Sequence, residues 1–268
     1  MGTIDRAYMV AIDAATRAGA LARRRWPDGL DVAPKGAAGD VVTNLDHEAE
    51  RMIIDCIQRA FPGHRIAAEE VGEIVGSDEW LWLVDPIDGT NNLVLGLPIF
   101  GVCVTLCSGA GAVVAAVYAG HRNVTYAARL GMGATCGGEV AVQIPSAGRP
   151  QHTTVSWIQG YDVSSGDPTP QVALAGLSRH FKRTLQLWAP SVDWALLVEG
   201  QIGAVVAYRN EIHDLLGGLL IASEAGAVIT DFDGEQVPDF AAAPGIVAAA
   251  PGVIEAVVQA LQDVGRHA

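Results

Sequence analysis

Two pairs of acidic residues stand at the ends of short apolar runs. Glu69 and Glu70 follow one run, and Asp85 and Asp88 follow the next. A single aspartate pair in a turn most often only stabilises the turn through hydrogen bonds to its backbone. Two acid pairs at the ends of two predicted strands, however, can face one cavity. Crowded carboxylates repel one another and stay ionised together only when cations neutralise them. Because donor sets made of oxygen alone favour hard cations, these residues predict a Mg²⁺ site rather than a zinc or copper site.

The residues around the aspartate pair constrain the turn that holds it. Pro86 restricts the backbone of Asp85, and Gly89 allows the chain to bend directly after Asp88. The backbone amides of Gly89 and Thr90 then open a predicted helix, and a helix N-terminus attracts anions. The sequence therefore predicts an anion beside the metal.

The predicted elements that must position these residues alternate between helices and strands. Helical periodicity and end signals predict helices over 3–25, 44–60, 170–180, 191–199, 214–225 and 251–263. Apolar runs predict strands over 65–68, 80–84, 99–107, 112–118, 203–207 and 227–231, with a hairpin between 99–107 and 112–118. This alternation favours a layered α/β fold. A loose boundary near 140–155 separates an N-terminal half, 1–145, which carries most of the predicted metal ligands, from a C-terminal half, 146–268.

Composition limits the classes of function. The 268 residues include 17 Lys and Arg against 30 Asp and Glu, a formal net charge of −13, and half of them are apolar. The apolar fraction excludes a disordered chain, and the acidic balance disfavours a general affinity for nucleic acid. Charged residues interrupt the N-terminal apolar positions, no apolar stretch is long enough to cross a bilayer, and the four cysteines lack metal-binding spacing. We therefore expect a cytoplasmic protein that binds neither nucleic acid nor a membrane.

The hexamer 85–90, DPIDGT, resembles the signature of the inositol monophosphatase family of Mg²⁺-dependent, lithium-sensitive phosphatases. Other segments resemble further motifs of that family, in the same order along the chain. These segments are Lys35 with 39–46, then 69–70, 131–138, 193–200 and 214–226. The resemblance to the family therefore extends from residue 35 to about residue 230.

The resemblance implies a role for each matching residue. The residues implied to hold Mg²⁺ are Glu69, Asp85, Ile87 through its carbonyl, Asp88 and Asp214. Those implied to orient and activate the attacking water are Thr90, Asp46 and Glu69. Those implied to bind phosphate are Gly89 and Thr90 through their amides, and Asp88. Glu70 and Lys35 are implied to support the metal ligands, Glu70 directly behind them or through a water.

Positions around the expected substrate depart from the family pattern. His213 stands where the family has Trp, and Ala207 stands where its sugar-alcohol phosphatases have a Glu that contacts a substrate hydroxyl. An alanine cannot accept that hydrogen bond, which puts the binding of inositol phosphate itself in question. His213 is either a packing substitution or a substrate contact. Trp188, like Trp157 and Tyr161, either lines the pocket of the leaving group or packs in the core.

The resemblance implies an alternating αβαβα sandwich of the inositol monophosphatase and fructose-1,6-bisphosphatase type, assembled as a homodimer. The implied activity is hydrolysis of a small phosphate monoester, most simply a cyclitol or sugar phosphate, with two or three Mg²⁺ and with inhibition by Li⁺. Histidinol phosphate, fructose bisphosphate and 3′-phosphoadenosine nucleotides remain alternative substrates. A non-catalytic protein that binds transcription or ribosome machinery is the alternative from another class. The complete set of predicted metal ligands, together with Thr90 and Asp46, favours the enzyme.

Overall fold

The computed structural model describes residues 2–35, 39–77, 79–109 and 111–263. Its helices are α1 Thr3–Arg25, α2 Asn44–Ala60, α3 Thr90–Val94, α4 Thr169–His180, α5 Pro190–Val198, α6 Ile212–Glu224 and α7 Ile254–Gln262. Its strands are β1 Val32–Lys35, β2 Asp40–Thr43, β3 Arg65–Ala68, β4 Gly72–Ile74, β5 Leu81–Asp88, β6 Gly101–Ser108, β7 Gly111–Ala119, β8 Val124–Arg129, β9 Ala134–Cys136, β10 Val140–Val142, β11 Thr154–Gln159, β12 Arg183–Leu185, β13 Ala204–Tyr208, β14 Val228–Thr230 and β15 Gly245–Ala249.

The strands form two large sheets and one short ribbon. The larger sheet has the order β10-β9-β8-β7-β6-β5-β3-β4, and the smaller has the order β12-β11-β13-β15-β14. The ribbon pairs β1 with β2. In the larger sheet β3 and β5 run parallel, so their carboxyl ends meet at one edge. This edge is where the two predicted acid pairs begin.

Both faces of the larger sheet are covered. Along β7, Val114, Ala116 and Tyr118 belong to the core formed with α1 and α2, while Ala115 and Val117 belong to the core formed with α5, α6 and the smaller sheet. Helices α4 and α7 pack together and contribute to that second core from the outer face of the smaller sheet. The layers therefore alternate α, β, α, β, α, as the resemblance implied.

Most of the predicted elements are confirmed, and three differences have physical causes. The strand expected over 80–84 continues to Asp88, because a bulge accommodates its proline. The helix expected from residue 251 begins at Ile254, because Gly252 has a φ of 96°. The alanine-rich stretch after residue 240 holds the buried strand β15, between β13 and β14, which the sequence did not predict.

The predicted boundary near 140–155 lies between the last strand of the larger sheet and the first strand of the smaller one. The division into two halves stays a prediction. None of the described helices combines the length and the apolar run that a bilayer crossing requires.

Candidate active site

The carboxyl ends of β3 and β5 place two of the predicted metal ligands side by side. Ala68 is the register partner of Val84, and the Glu69 amide donates to the Val84 carbonyl at 3.1 Å. Glu69 and Asp85, one residue further on, therefore leave neighbouring strands at the same level. The parallel pairing thus brings together acids that are 16 positions apart in sequence.

A β-bulge places Asp85 and Asp88 on the same face. Asp85 pairs with Cys103 and Asp88 pairs with Gly101, so one extra residue of β5 is inserted opposite β6. In a regular strand, residues three apart point to opposite faces of the sheet. The inserted residue reverses that alternation and directs both aspartates toward one cavity.

Asp214 reaches the same cavity because α6 packs unusually close to its neighbours. A Cβ atom on Gly217 would lie 2.4 Å from Thr105 Oγ1, and one on Gly218 would lie 2.1 Å from Trp194 Cδ1. Trp194 Nε1 also donates to the Asp214 carbonyl at 3.0 Å. Two consecutive glycines therefore let α6 approach the sheet and α5, and α6 carries Asp214 in its first turn to the aspartates of β5.

The three aspartates form a group with the geometry of a cation site. One carboxylate oxygen each from Asp85, Asp88 and Asp214 lies within 4.8 Å of the other two. Burial, reinforced by the charges of Glu69, Asp214 and Asp88, raises the pKa of Asp85 well above its ordinary value. Burial raises the pKa of Asp88 to about 6. A largely buried set of oxygen donors whose charges oppose one another fits a hard divalent cation such as Mg²⁺.

Glu69 lines the same cavity but has a cationic partner already. Lys35 Nζ donates to Glu69 Oε1 at 2.5 Å and to Glu70 Oε1 at 2.7 Å. Burial lowers the pKa of Lys35, but the two glutamates raise it above its ordinary value. Burial raises the pKa of Glu69 to about 7, against the opposing effect of the Lys35 ammonium. The structure thus joins both predicted supporting residues to one predicted ligand. Glu69, Asp85, Asp88 and Asp214 are called the acidic cluster below.

Thr90 and Asp46 form the hydrogen-bonded pair that the resemblance implied. Thr90 Oγ1 lies 2.6 Å from Asp46 Oδ1 and 2.8 Å from the Ile87 carbonyl oxygen. The other oxygen of Asp46 accepts from the Thr43 amide at 2.9 Å and from the Thr43 hydroxyl at 2.5 Å. The bond from the Thr43 amide belongs to the capping box that starts α2. The capping box, which is a local signal for the start of a helix, therefore also holds Asp46 in its position in the site.

The turn between β5 and α3 requires glycine at position 89. Gly89 has a φ of 93°, and a Cβ atom there would lie 2.7 Å from the Ile99 carbonyl oxygen and 2.9 Å from Ala189 Cβ. The bond from the Asn92 amide to the Gly89 carbonyl begins α3. The amides of Gly89 and Thr90 precede it and are available to an anion at the helix start.

Two cavities adjoin each other, and the first lies over the acidic cluster. The first has a volume of about 50 Å³ and is lined by Asp40, Val41, Glu69, Asp85, Ile87, Asp88, Gly89, Thr90, Gln159, Gly160, Tyr161, Trp188, Pro190, Glu211 and Asp214. The second, of about 540 Å³, shares Gln159, Gly160, Tyr161, Trp188 and Pro190 with the first and adds Trp157, Ile158, Val163 and Gln186. This second cavity is called the aromatic subsite below.

Two residues expected near the substrate lie outside both cavities. Ala207 is buried in β13, paired with Ile158 and Ile246. His213 lies beside Asp214 in the chain, but it lines neither cavity. Burial lowers the pKa of His213. Trp188, by contrast, lines both cavities.

The structure adds residues that the sequence analysis did not single out. Glu211 lines the cavity over the acidic cluster from the position just before α6. Its only signal in the sequence is an acidic side chain three residues before Asp214. Glu50, buried in α2, accepts from the amides of Glu70 at 2.8 Å and Val71 at 3.1 Å and so anchors the loop after Glu69. A helical glutamate carries no local signal for such a role.

Comparisons with known proteins show the family of the chain and its fold. The sequence model of the inositol monophosphatase family matches residues 4–266. The chain is 30% identical to the Nus factor SuhB of Escherichia coli K12 over 95% of each chain. It is 32% identical to the fructose-1,6-bisphosphatase/inositol-1-monophosphatase of Thermotoga maritima over 84% of each chain. The solved structure of a Thermotoga maritima IMPase superimposes with a TM-score of 0.82 at 28% identity, over 95% of this chain and 96% of that one.

Proposed function

The chain belongs to the inositol monophosphatase family, and we propose that it is a Mg²⁺-dependent phosphatase that hydrolyses a small phosphate monoester. One observation carries the proposal. The carboxylates of Asp85, Asp88 and Asp214 converge within 4.8 Å in the cavity that Thr90 also lines, and Thr90 is bonded to Asp46. A cation site and a polarised hydroxyl in one cavity are what phosphoryl transfer to water requires.

The residues that would hold Mg²⁺ are Glu69, Asp85, Asp88, Asp214 and the carbonyl of Ile87. When bound, the cations supply positive charge that offsets the carboxylates and the phosphate oxygens. The amides of Gly89 and Thr90 would bind phosphate oxygens at the start of α3. Two or three ions are proposed, in line with the charge of the acidic cluster.

Thr90 and Asp46 would position the nucleophile. When the Thr90 hydroxyl donates its hydrogen to Asp46, the lone pairs of Oγ1 stay free to accept a hydrogen bond from water. Held in this way, the water attacks phosphorus in line with the ester oxygen. A new phosphorus–oxygen bond would form as the water gives up one proton through Thr90 toward Asp46. The bond to the alcohol would break as the departing alcohol oxygen takes up one proton from solvent, so the proton count is conserved.

The alcohol part of the substrate would contact Glu211. The Ala207 side chain cannot accept a hydrogen bond, but Glu211 lines the cavity and is exposed. We therefore assign to Glu211 the contact with a substrate hydroxyl that position 207 does not supply. Cyclitol and sugar phosphates, which carry such hydroxyls, remain the leading substrate class.

Release of inorganic phosphate with Mg²⁺ tests the proposal. The panel contains inositol 1-phosphate, other cyclitol and sugar phosphates, histidinol phosphate, fructose 1,6-bisphosphate and 3′-phosphoadenosine 5′-phosphate. We expect Mg²⁺-dependent turnover of at least one ester, abolished by a chelator. A protein that binds no Mg²⁺ and hydrolyses no ester would contradict the proposal.

Lithium inhibition tests the cation site separately. Li⁺ is expected to compete with Mg²⁺ at Asp214 and its neighbours and to reduce turnover at tens of millimolar, as the family resemblance implies. The measurement is the phosphate release rate against LiCl, with NaCl at equal concentration as the control for ionic strength. Equal rates of phosphate release in LiCl and NaCl would contradict the expected competition between Li⁺ and Mg²⁺.

A partner-binding function is the second candidate, because one relative carries the name Nus factor SuhB. Complementation of a strain that lacks this gene distinguishes the two candidate functions. Restoration of its phenotype by a folded Asp88→Asn variant without turnover would favour the partner-binding function, and failure to restore it would favour the enzyme. The homodimer, the cytoplasmic location and the absence of nucleic-acid binding stay predictions.

A further inference from the structure

The space available to a substrate is divided very unevenly. The cavity over the acidic cluster has about 50 Å³, and the aromatic subsite beside it has about 540 Å³. Small-molecule sites commonly measure about 300–1,000 Å³. The small cavity suits the phosphate group, and the volume for the rest of a ligand lies on the side of Tyr161 and Trp188.

The aromatic subsite has no charged lining. The side chains that surround it are aromatic, aliphatic or amide. No lysine or arginine lines either cavity among the described residues. A second phosphate group would leave water without a cationic partner there, which is costly. The subsite therefore suits an uncharged part of the alcohol.

The backbone of Trp188 is held in a conformation that residues other than glycine rarely adopt. Its φ is 56°, in the left-handed region, where a bulky residue is an outlier. Its side chain nevertheless remains 50% exposed, at the border of the two cavities. Backbone outliers of this kind concentrate at binding sites, where surrounding contacts hold them.

The contacts that hold Trp188 come from the helix that also carries Thr90. Asn92 Nδ2, in α3, donates to the Leu187 carbonyl at 2.8 Å and to the Trp188 carbonyl at 3.3 Å. Trp188 Nε1 donates to the Tyr161 hydroxyl at 3.0 Å, and Asn91 Nδ2 donates to the same hydroxyl at 3.1 Å. The indole is therefore fixed relative to the proposed phosphate position.

We propose that the aromatic subsite receives an uncharged ring of the substrate alcohol, which stacks on the indole of Trp188. This inference rests on the proposed phosphatase function and makes the substrate larger than one phosphorylated ring or chain. The shared chemistry is a flat apolar ring face, which either an aromatic ring or the C–H face of a second sugar ring can supply. Gln159 and Gln186 offer amide groups to polar atoms at the ring edge.

Two pairs of esters test the inference with Mg²⁺ present. 2-Phenylethyl phosphate is compared with ethyl phosphate, and trehalose 6-phosphate with glucose 6-phosphate. We expect the member with the additional ring to have a kcat/KM about tenfold higher in at least one pair, in the range of aromatic contacts. The first pair reports an aromatic ring, and the second reports a second sugar.

Two variants of Trp188 separate stacking from other effects. Trp188→Phe and Trp188→Leu both lose the hydrogen bond to Tyr161, but only Trp188→Phe keeps a flat ring. The advantage of the ring-bearing ester is expected to persist in Trp188→Phe and to fall to about one in Trp188→Leu. Two results would overturn this inference and leave the proposed function standing. One is turnover by the natural protein with equal kcat/KM for the two esters of each pair, and the other is the same preference for the ring-bearing ester in Trp188→Phe and Trp188→Leu. Absence of turnover on every ester, including inositol 1-phosphate, would overturn the proposed function and this inference with it.

Discussion

The acidic cluster and the aromatic subsite adjoin each other, but different forces build them. In the acidic cluster, two buried aspartates and the half-buried Asp214 oppose one another, and only Glu69 has a cationic partner, Lys35, among the described residues. In the aromatic subsite, no lining residue is charged, and hydrogen bonds hold Trp188 in a left-handed conformation. The cluster needs a bound cation to offset its repulsion, whereas the subsite is complete without one.

This difference predicts two separable kinds of defect. Changes in the acidic cluster alter the step that every substrate shares, so they slow all esters alike. Changes on the alcohol side alter contacts that only some substrates make, so they change the ratio between esters. The four predictions below run from the largest expected effect to the smallest.

Asp88→Asn is expected to reduce turnover of every ester roughly a thousandfold, which equals about 4 kcal/mol of transition-state stabilisation. The amide has nearly the same shape and can still accept from the Ser191 amide, which bonds to Asp88 Oδ2, but the ligand charge is lost. Phosphate release and circular dichroism measure activity and fold. Asp55→Asn, on the exposed side of α2, is the control for loss of a charge. More than a tenth of the original activity would contradict the assignment of Asp88 as a metal ligand.

Thr90→Ala is expected to slow kcat roughly a hundredfold, the range of a positioned proton-transfer group, for all esters alike. The half-saturating Mg²⁺ concentration should stay within about threefold, since the hydroxyl contacts Asp46 and the Ile87 carbonyl oxygen but none of the carboxylates of the acidic cluster. Thr90→Ser keeps the hydroxyl and is the matched control. If the serine and alanine variants were equally slow, the hydroxyl would not be the group that matters.

Glu211→Gln is expected to raise KM about tenfold for esters whose alcohol carries hydroxyl groups, because the charged acceptor is weakened. The same variant should leave the KM of ethyl phosphate nearly unchanged, since that alcohol has no additional hydroxyl. Steady-state kinetics on inositol 1-phosphate and ethyl phosphate give the comparison in one protein. An equal change in KM for both esters would place Glu211 with the acidic cluster rather than on the alcohol side.

Asp85→Asn is expected to stabilise the metal-free protein by roughly 1 kcal/mol, or about 2–4 °C in Tm, because one of the opposing carboxylates becomes neutral. The asparagine can still accept from the Ile87 amide, which Asp85 Oδ1 does at 3.0 Å. Thermal unfolding in a chelator and in Mg²⁺ is the measurement. Mg²⁺ should raise the Tm of the natural protein more than that of the variant. A lower Tm for the variant in chelator would contradict net repulsion in the cluster.

Local signals made the acidic part of the site predictable. Asp85, Asp88 and Gly89 lie within five consecutive residues, and Asp46 belongs to a capping box whose pattern is visible in the sequence. The helical structure of strongly periodic segments such as α1 and α2 could likewise be predicted from the sequence. Strand β15 was missed because alanine carries little strand preference, and its burial between β13 and β14 decides its conformation.

The alcohol side could not be predicted in the same way. Tyr161, Trp188 and Glu211 come from three separate loops, and each has an equally common role in packing or solvation. Ala207 and His213 were expected near the substrate from motif spacing alone, but spacing along the chain does not determine which side chains line a cavity. Their positions depend on how α6 and β13 pack, which is a property of the assembled layers.

The sequence by itself determined the family, the layered α/β class and the residues able to hold a hard cation, because these depend on residue type and local order. Only the tertiary structure decided that the aspartates converge, through a bulge in β5 and the close approach of α6 at Gly217 and Gly218. It alone decided that an uncharged aromatic cavity adjoins them. The physical reason is that convergence and cavity shape arise from close packing between distant segments, which no local pattern encodes.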